Sequence, residues 1–209
     1  MSATHLSDLP LFPLGTVLFP GGLLPLRIFE VRYLDMVRRC HREGSPFGVV
    51  GLVSGSEVRS AEGEAESFHT VGTLARIIEY AAPQPGLLVI RCQGEGRFAV
   101  QRSQRRPHGL WVAEAEPLPA DRVIPIPEDL QGVAQGLRKL LQQLQDKQVP
   151  PEQIPLLQPY RFGDCDWVAN RWCELLPVPL EMKQRLMALD NPLLRLELVS
   201  DLLDKSNWA

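Results

Sequence analysis

The side chains that carry most enzyme chemistry lie scattered along this chain. His5, His41, His69 and His108 stand alone, and none shares a local ligand spacing with a cysteine or another histidine, so local sequence builds no transition-metal motif. Lys139, Lys147, Lys183 and Lys205 each lack a preceding glycine, which removes the phosphate-cradling loop that ends in glycine and lysine. Residues 51–55 carry serine at the fourth position, not the third, so the strained G-x-S-x-G turn of many hydrolases is missing. Gly94-Glu95-Gly96 sits between two strand-like runs and not before a helix; a hairpin turn is expected there. Cys40, Cys92, Cys165 and Cys173 form no CxxC and no disulfide-type spacing, and read as reduced thiols packed as small hydrophobes. No catalytic constellation, metal set or cofactor motif emerges.

Two charged clusters remain. The acidic run 57–66, EVRSAEGEAE, reads as a solvated loop rich in small residues. Arg97, Arg102, Arg105 and Arg106 cluster after the glycine pair and would suit phosphates of RNA or an acidic partner. The net charge of −3 and isoelectric point near 5.8 argue against nucleic acid, whose binding needs a basic excess. Eighteen arginines against four lysines reflect coding bias more simply than an arginine-based function.

The most conspicuous segment is apolar. LFPGGLLPLRIFEVRY, residues 18–33, places a Pro-Gly-Gly corner inside a hydrophobic run and then turns amphipathic. It is too short and interrupted to span a bilayer, and no cationic leader precedes it, so a cytoplasmic protein without membrane contact is expected. Pro20, Gly21 and Gly22 supply turn chemistry, with positive φ expected at one glycine. Phe19, Leu23 and Leu24 become the candidate polypeptide-contacting residues, with strand alternation placing one leucine in the core and the other on the surface.

The elements that must position these residues fall into two textures. Strands are expected over 9–14, 23–28, 47–53, 73–80, 87–92, 97–100 and 110–116, with a glycine-rich hairpin at 93–96. One amphipathic helix, 29–43, interrupts them and ends at Gly44. The proline-rich segment 117–127 reads as a linker. Beyond it, Leu130, Val133, Ala134, Leu137, Leu140, Leu141 and Leu144 define a helical stripe. Asp164 or Asp166 caps a helix to Leu176, 179–189 forms another, and Asn191-Pro192 starts a last one ending near Lys205.

Four segments, in order, resemble one family. LPLFPLGTVLFPGGLLPLRIFEVRY, PFGVVGL, VGTLARIIEY and LLVIRCQGEGRFAV are similar to the Lon protease N-terminal substrate-binding domain, and DNPLLRLELVSDLL resembles its helical end. The resemblance implies an α+β fold: a PUA-like β pseudobarrel with one helix over residues 1–120, followed by a helical bundle over 121–209. It implies a non-catalytic protein- or peptide-binding module lacking the ATPase and peptidase, an adaptor in protein quality control with no cofactor. The partners it implies are unfolded or partly folded polypeptides or a protease. The alternative is an RNA-binding PUA-like protein using the Arg97–Arg106 cluster. The two units are expected to dock, with a groove between them.

Overall fold

The computed structural model describes residues 5–55 and 66–205. The chain divides into two compact units, Met1–Ala120 and Asp121–Ala209.

Among its described residues the first unit holds six strands and one helix: β1 (Leu6–Leu14), β2 (Leu23–Ile28), α1 (Val31–Glu43), β3 (Phe47–Ser54), β4 (Ser67–Gln84), β5 (Leu87–Arg105) and β6 (Trp111–Pro117). Their order is β2-β5-β4-β3-β1-β6, with β5 also pairing β6. The pairings β5-β4-β3-β1-β6-β5 therefore form a closed ring, and β2 lies outside it on β5. The length of β5 makes this arrangement feasible. Its first part pairs β2, Leu23↔Gln93 through Ile28↔Leu88, and its second part pairs β6, Phe98↔Pro117 through Arg105↔Trp111. All pairs are antiparallel except β1 with β3, so the sheet is mixed.

The apolar run of β1 is buried on both faces. Leu9 and Leu11 join Val50, Phe98, Ala113 and Ala115 in one cluster. Phe12 and Leu14 join Leu24, Ile28, Tyr33, Val37, Phe47, Ile90 and Cys92 in the other. Strand alternation thus sends one residue set to each side. Helix α1 buries Tyr33, Leu34, Met36, Val37 and Cys40, the helical-period stripe of its sequence. It stops at Gly44, which is left-handed at φ 63° and returns its N–H to His41.

The expected hairpin at 93–96 is not there. Gly94 and Gly96 lie inside the continuous strand β5, and the chain reverses instead at Pro85-Gly86, between Gln84 and Leu87, with Gly86 at φ 78°. A Pro-Gly pair presets the turn geometry directly, whereas Gly94 serves a close approach described below.

The second unit is helical: α2 (Gln131–Asp146), α3 (Cys165–Leu175), α4 (Leu180–Ala188) and α5 (Pro192–Lys205). The stripe of α2 buries Val133, Ala134, Leu137 and Leu141. Asp164 caps α3 by accepting the Asp166 N–H at 3.2 Å. Asn191 caps α5 by accepting from Leu193 and Leu194, with Pro192 at the first helical position. The segment expected as linker is partly built into this unit: Cys165 donates to the Ile124 carbonyl at 2.9 Å, and Pro125 bridges Asp164. Helix α3 is its centre, with Trp167, Val168, Trp172 and Cys173 buried, and Trp172 Nε1 donates to the Val133 carbonyl at 2.9 Å. No helix of the described residues is long and apolar enough to cross a membrane.

Candidate polypeptide-binding site

The Pro-Gly-Gly corner is a type II turn pinned to the sheet. Gly22 N–H donates to the Phe19 carbonyl at 2.9 Å, Pro20 takes the second position, and Gly21 takes the third at φ 73°, the conformation that position demands. Gly21 then donates to the Gly94 carbonyl at 2.8 Å, and Gly94 returns its N–H to Gly22 at 2.9 Å. A methyl group on Gly94 would overlap the Phe19 carbonyl oxygen. Thr73, fully buried on β4, donates its hydroxyl to the Leu18 carbonyl at 2.6 Å. The corner is therefore held by the backbone of β5 and by a side-chain hydroxyl of β4.

This geometry sorts the three apolar candidates. Phe19 is 0% exposed and Leu24 9%; both belong to the core and neither forms an available surface. Leu23 is half-buried on the opposite face. The correction for Phe19 has a plain cause: its carbonyl closes the turn outside while its ring is swallowed by the unit. The surface near the corner is carried instead by Leu23, Leu26, Phe29 and Val31. Phe29 is 55% exposed and Val31 73%. Phe29 sits between β2 and α1, outside the helix that the sequence period assigned it to, which is why its ring faces solvent.

Beside these residues β2 has an open edge. Among the described residues it pairs with β5 and with no other strand. Proline at 25 has no N–H to give β5, and Gly22 already bonds Gly94. Backbone groups of residues 22, 24, 26 and 28 consequently point to β5, and those of Leu23, Pro25 and Arg27 point to the free side. Along this edge a half-open cavity of about 170 Å³ is lined by Phe12, Leu14, Leu26, Ile28, Phe29 and Tyr33, with Pro25, Arg27 and Glu30 at its rim. Phe12 and Tyr33 stack at 3.9 Å to form its wall, and burial pushes the Tyr33 phenol well above its usual range.

A buried cation anchors the far side. Arg32 is 6% exposed and pairs with Glu30 at 3.1 Å and Glu66 at 2.9 Å, while donating to the Gly109 carbonyl. Its guanidinium lies 4.5 Å from the Tyr33 ring centre. Burial disfavours the charge, but Tyr33, Glu66 and Glu30 outweigh it and hold the pKa above the ordinary arginine value. Glu66 also accepts from Trp111 Nε1 at 2.7 Å. The acidic composition around Glu66 predicts a solvated loop; Glu66 is instead a buried counter-ion, and the rest of that run, 57–65, lies outside the described residues. A charge in a low-complexity stretch gives no local signal for a partner thirty-odd positions away.

The arginine cluster does not assemble. Arg97 is 4% exposed, buried where β5 crosses β4. Arg102, Arg105 and Arg106 reach the surface, but Arg106 pairs with Asp8, and Arg102 stands opposite Glu114 across the β5–β6 ladder. Gln101 donates to Glu116 nearby. Carboxylates interleave with the arginines, so no uniform basic face meets a phosphate backbone.

Elsewhere, His41 stacks on Tyr80 at 4.2 Å. Burial pushes the thiols of Cys92 and Cys173 up to about 12 and that of Cys165 up to about 11. Among the described residues no three His, Cys, Asp or Glu side chains are grouped to hold a metal ion. The helical unit has a wider groove of about 690 Å³ along α2, floored by Trp172. Its rim side chains Asp129, Lys139, Gln143 and Asp204 are solvated.

A ring of strands with one helix, followed in sequence by a helical unit, defines an α+β protein among the described residues. The chain belongs to the substrate-binding domain family of the ATP-dependent protease La (Lon), whose model matches residues 8–205. It is similar to the Lon protease of Anaeromyxobacter dehalogenans, 25% identical over 201 residues, covering 94% of this chain and 23% of that protein. Similarity to the Lon protease of Xanthomonas oryzae pv. oryzae is 26% over 213 residues, covering 97% and 23%. The chain thus spans about a quarter of the length of these relatives. A crystal structure of a Lon N-terminal domain protein from Xanthomonas campestris superposes with TM-score 0.72 at 33% identity, covering 94% of this chain and 98% of that one. The N-terminal domain of the Mycobacterium avium complex Lon protease shares the fold, with TM-score 0.54, 15% identity and coverage of 93% and 96%.

Proposed function

We propose that this protein is a non-catalytic capture module for unfolded or partly folded polypeptides, acting in the cytoplasm as an adaptor in protein quality control. The observation that carries this reading is the open β2 edge, with half-buried Leu23 on one face and, on the other, exposed Phe29 at a small cavity lined mainly by apolar side chains. Apolar surface held out of the core by a rigid scaffold suits recognition of hydrophobic segments that folded proteins hide. Membership in a substrate-binding family supports it. In fold terms, the closed ring with its single helix is of the PUA-like pseudobarrel type. No reaction is assigned to it; it binds.

The test is fluorescence anisotropy with labelled, reduced and carboxymethylated α-lactalbumin. The permanently unfolded form should bind and the native, disulfide-bonded form should not. Leu23→Asp combined with Phe29→Asp should weaken binding at least tenfold while leaving the melting temperature within a degree or two. Leu24→Asp, which buries an unpaired carboxylate, should instead lower the melting temperature by several degrees or prevent folding. Equal binding of both lactalbumin forms, or full binding by the double variant, would remove the reading.

A further inference from the structure

We propose that the polypeptide is captured as an added β-strand along the free edge of β2, with one apolar side chain seated in the cavity between β2 and β1. The inference rests on the polypeptide-binding reading and specifies its mode.

Three features converge on the edge. The parity set by Pro25 and by the Gly22–Gly94 bond leaves Leu23 and Arg27 each offering an N–H and a carbonyl to the free side, and Pro25 a carbonyl only. An extended chain supplies the complementary row at the same spacing. Side chains of an added strand alternate in step with β2. Those opposite Leu26 share its face and enter the 170 Å³ cavity lined by Phe12, Leu14, Ile28 and Tyr33. That volume is of the order of a cavity that takes a benzene ring, so a single Leu, Val or Phe side chain fits against the Phe12, Leu14 and Tyr33 wall. Those opposite Leu23, Pro25 and Arg27 lie on the other face of the strand or at the cavity's rim, where Arg27 and Glu30 are polar neighbours. The specificity is therefore for an apolar residue in an extended, alternating segment, with backbone bonds that read no sequence.

The missing donor at Pro25 also bears on the occupant. A foreign strand forfeits one bond there. A second copy of this chain, paired antiparallel about Pro25, forfeits both bonds of its central pair. The edge favours a foreign strand over itself.

The experiment uses the full chain and the alternating peptide acetyl-KTVTLTVTK-amide, with two N-methylated forms: one methylated on the threonine amides, the other on the valine and leucine amides. Strand addition requires that only one set matter. Loss of at least tenfold in affinity confined to the threonine set is expected for an antiparallel strand; loss confined to the apolar set identifies a parallel strand and equally supports the proposal. Equal losses from both sets, or none from either, overturn it. Arg27→Pro, which removes one of the two edge donors and none of the bonds to β5, should weaken binding of the parent peptide about fivefold without lowering the melting temperature; unchanged affinity in a folded variant counts against the proposal. If the parent peptide fails to bind while carboxymethylated lactalbumin binds, strand addition falls and the capture reading stands. If neither binds, both fall.

Discussion

Gly94 and Gly96 flank one glutamate on the same strand, yet they do different things. Gly94 faces the corner, where an added Cβ would meet the Phe19 carbonyl oxygen and the Leu18 side chain. Gly96 is exposed, with nothing within 4 Å of such an atom. Gly94→Ala must therefore push the corner off β5, straining the bonds between Gly21, Gly22 and Gly94, and should cost about 2–4 kcal/mol. Gly96→Ala should fall within about 0.5 kcal/mol of the parent, since it relieves backbone entropy and meets no obstacle. Urea unfolding of both variants measures the contrast. Comparable costs would mean that the corner is not held by close backbone approach. The sequence pattern GEG shows that glycine is wanted, but not why; the reason lies in a residue seventy-five positions earlier.

At the scale of elements, much of the fold was legible. Caps and stop signals act locally, so Gly44, Asp164 and Asn191-Pro192 mark helix ends where the structure has them. Alternation within 23–28 separates Leu24 from Leu23. What escaped was whatever depends on distant partners. Phe29 fits the helical period but falls just outside α1. Phe19 looks available in sequence and is fully buried. Arg97 looks like a surface cation and is a core residue. The least legible feature is the polar centre of the helical unit. Arg195, 1% exposed, contacts Asp121 at 2.9 Å, Asp166 at 2.8 Å and Asn170 at 3.0 Å, and donates to the Leu186 and Leu189 carbonyls. One buried cation faces two carboxylates. Burial, then the hydrogen bond with Asp121, raise the Asp166 carboxyl to about 6 against the pull of Arg195. The folded state therefore holds a proton on Asp166 between about pH 4 and 6 that the unfolded chain releases. The associated stabilisation, on the order of 3 kcal/mol, is fully present below the unfolded pKa and lost as pH rises through about 6. Asp166→Asn, neutral at every pH, should remove it. The stability difference between parent and variant should fall across that window and level off above it, as followed by chemical denaturation at closely spaced pH values. A pH-independent difference would show that Asp166 ionises normally in the fold.

At the scale of the whole molecule the question is self-association through the open β2 edge, and Pro25, which leaves a gap in the row of donors, weighs against it. Among the described residues β2 pairs along one side only, with β5, so the other side of its backbone is open to an added strand. Antiparallel self-pairing about residue 25 would match Leu23 with Arg27 of a second copy and place two prolines face to face, with no donor on either side. Pro25→Thr restores both N–H groups and adds a residue that favours strands. At about 1 kcal/mol net for each bond, self-association through this edge should strengthen by roughly tenfold or more. Sedimentation equilibrium at tens of micromolar should show a shift toward dimer in the variant relative to the parent. The alternating peptide should reverse that shift by competing for the same backbone groups. A variant no more associated than the parent would mean that the β2 edge is guarded by something other than the missing donor, with Arg27 the next residue to change. A dimer that the peptide cannot dissociate would place the contact elsewhere on the surface.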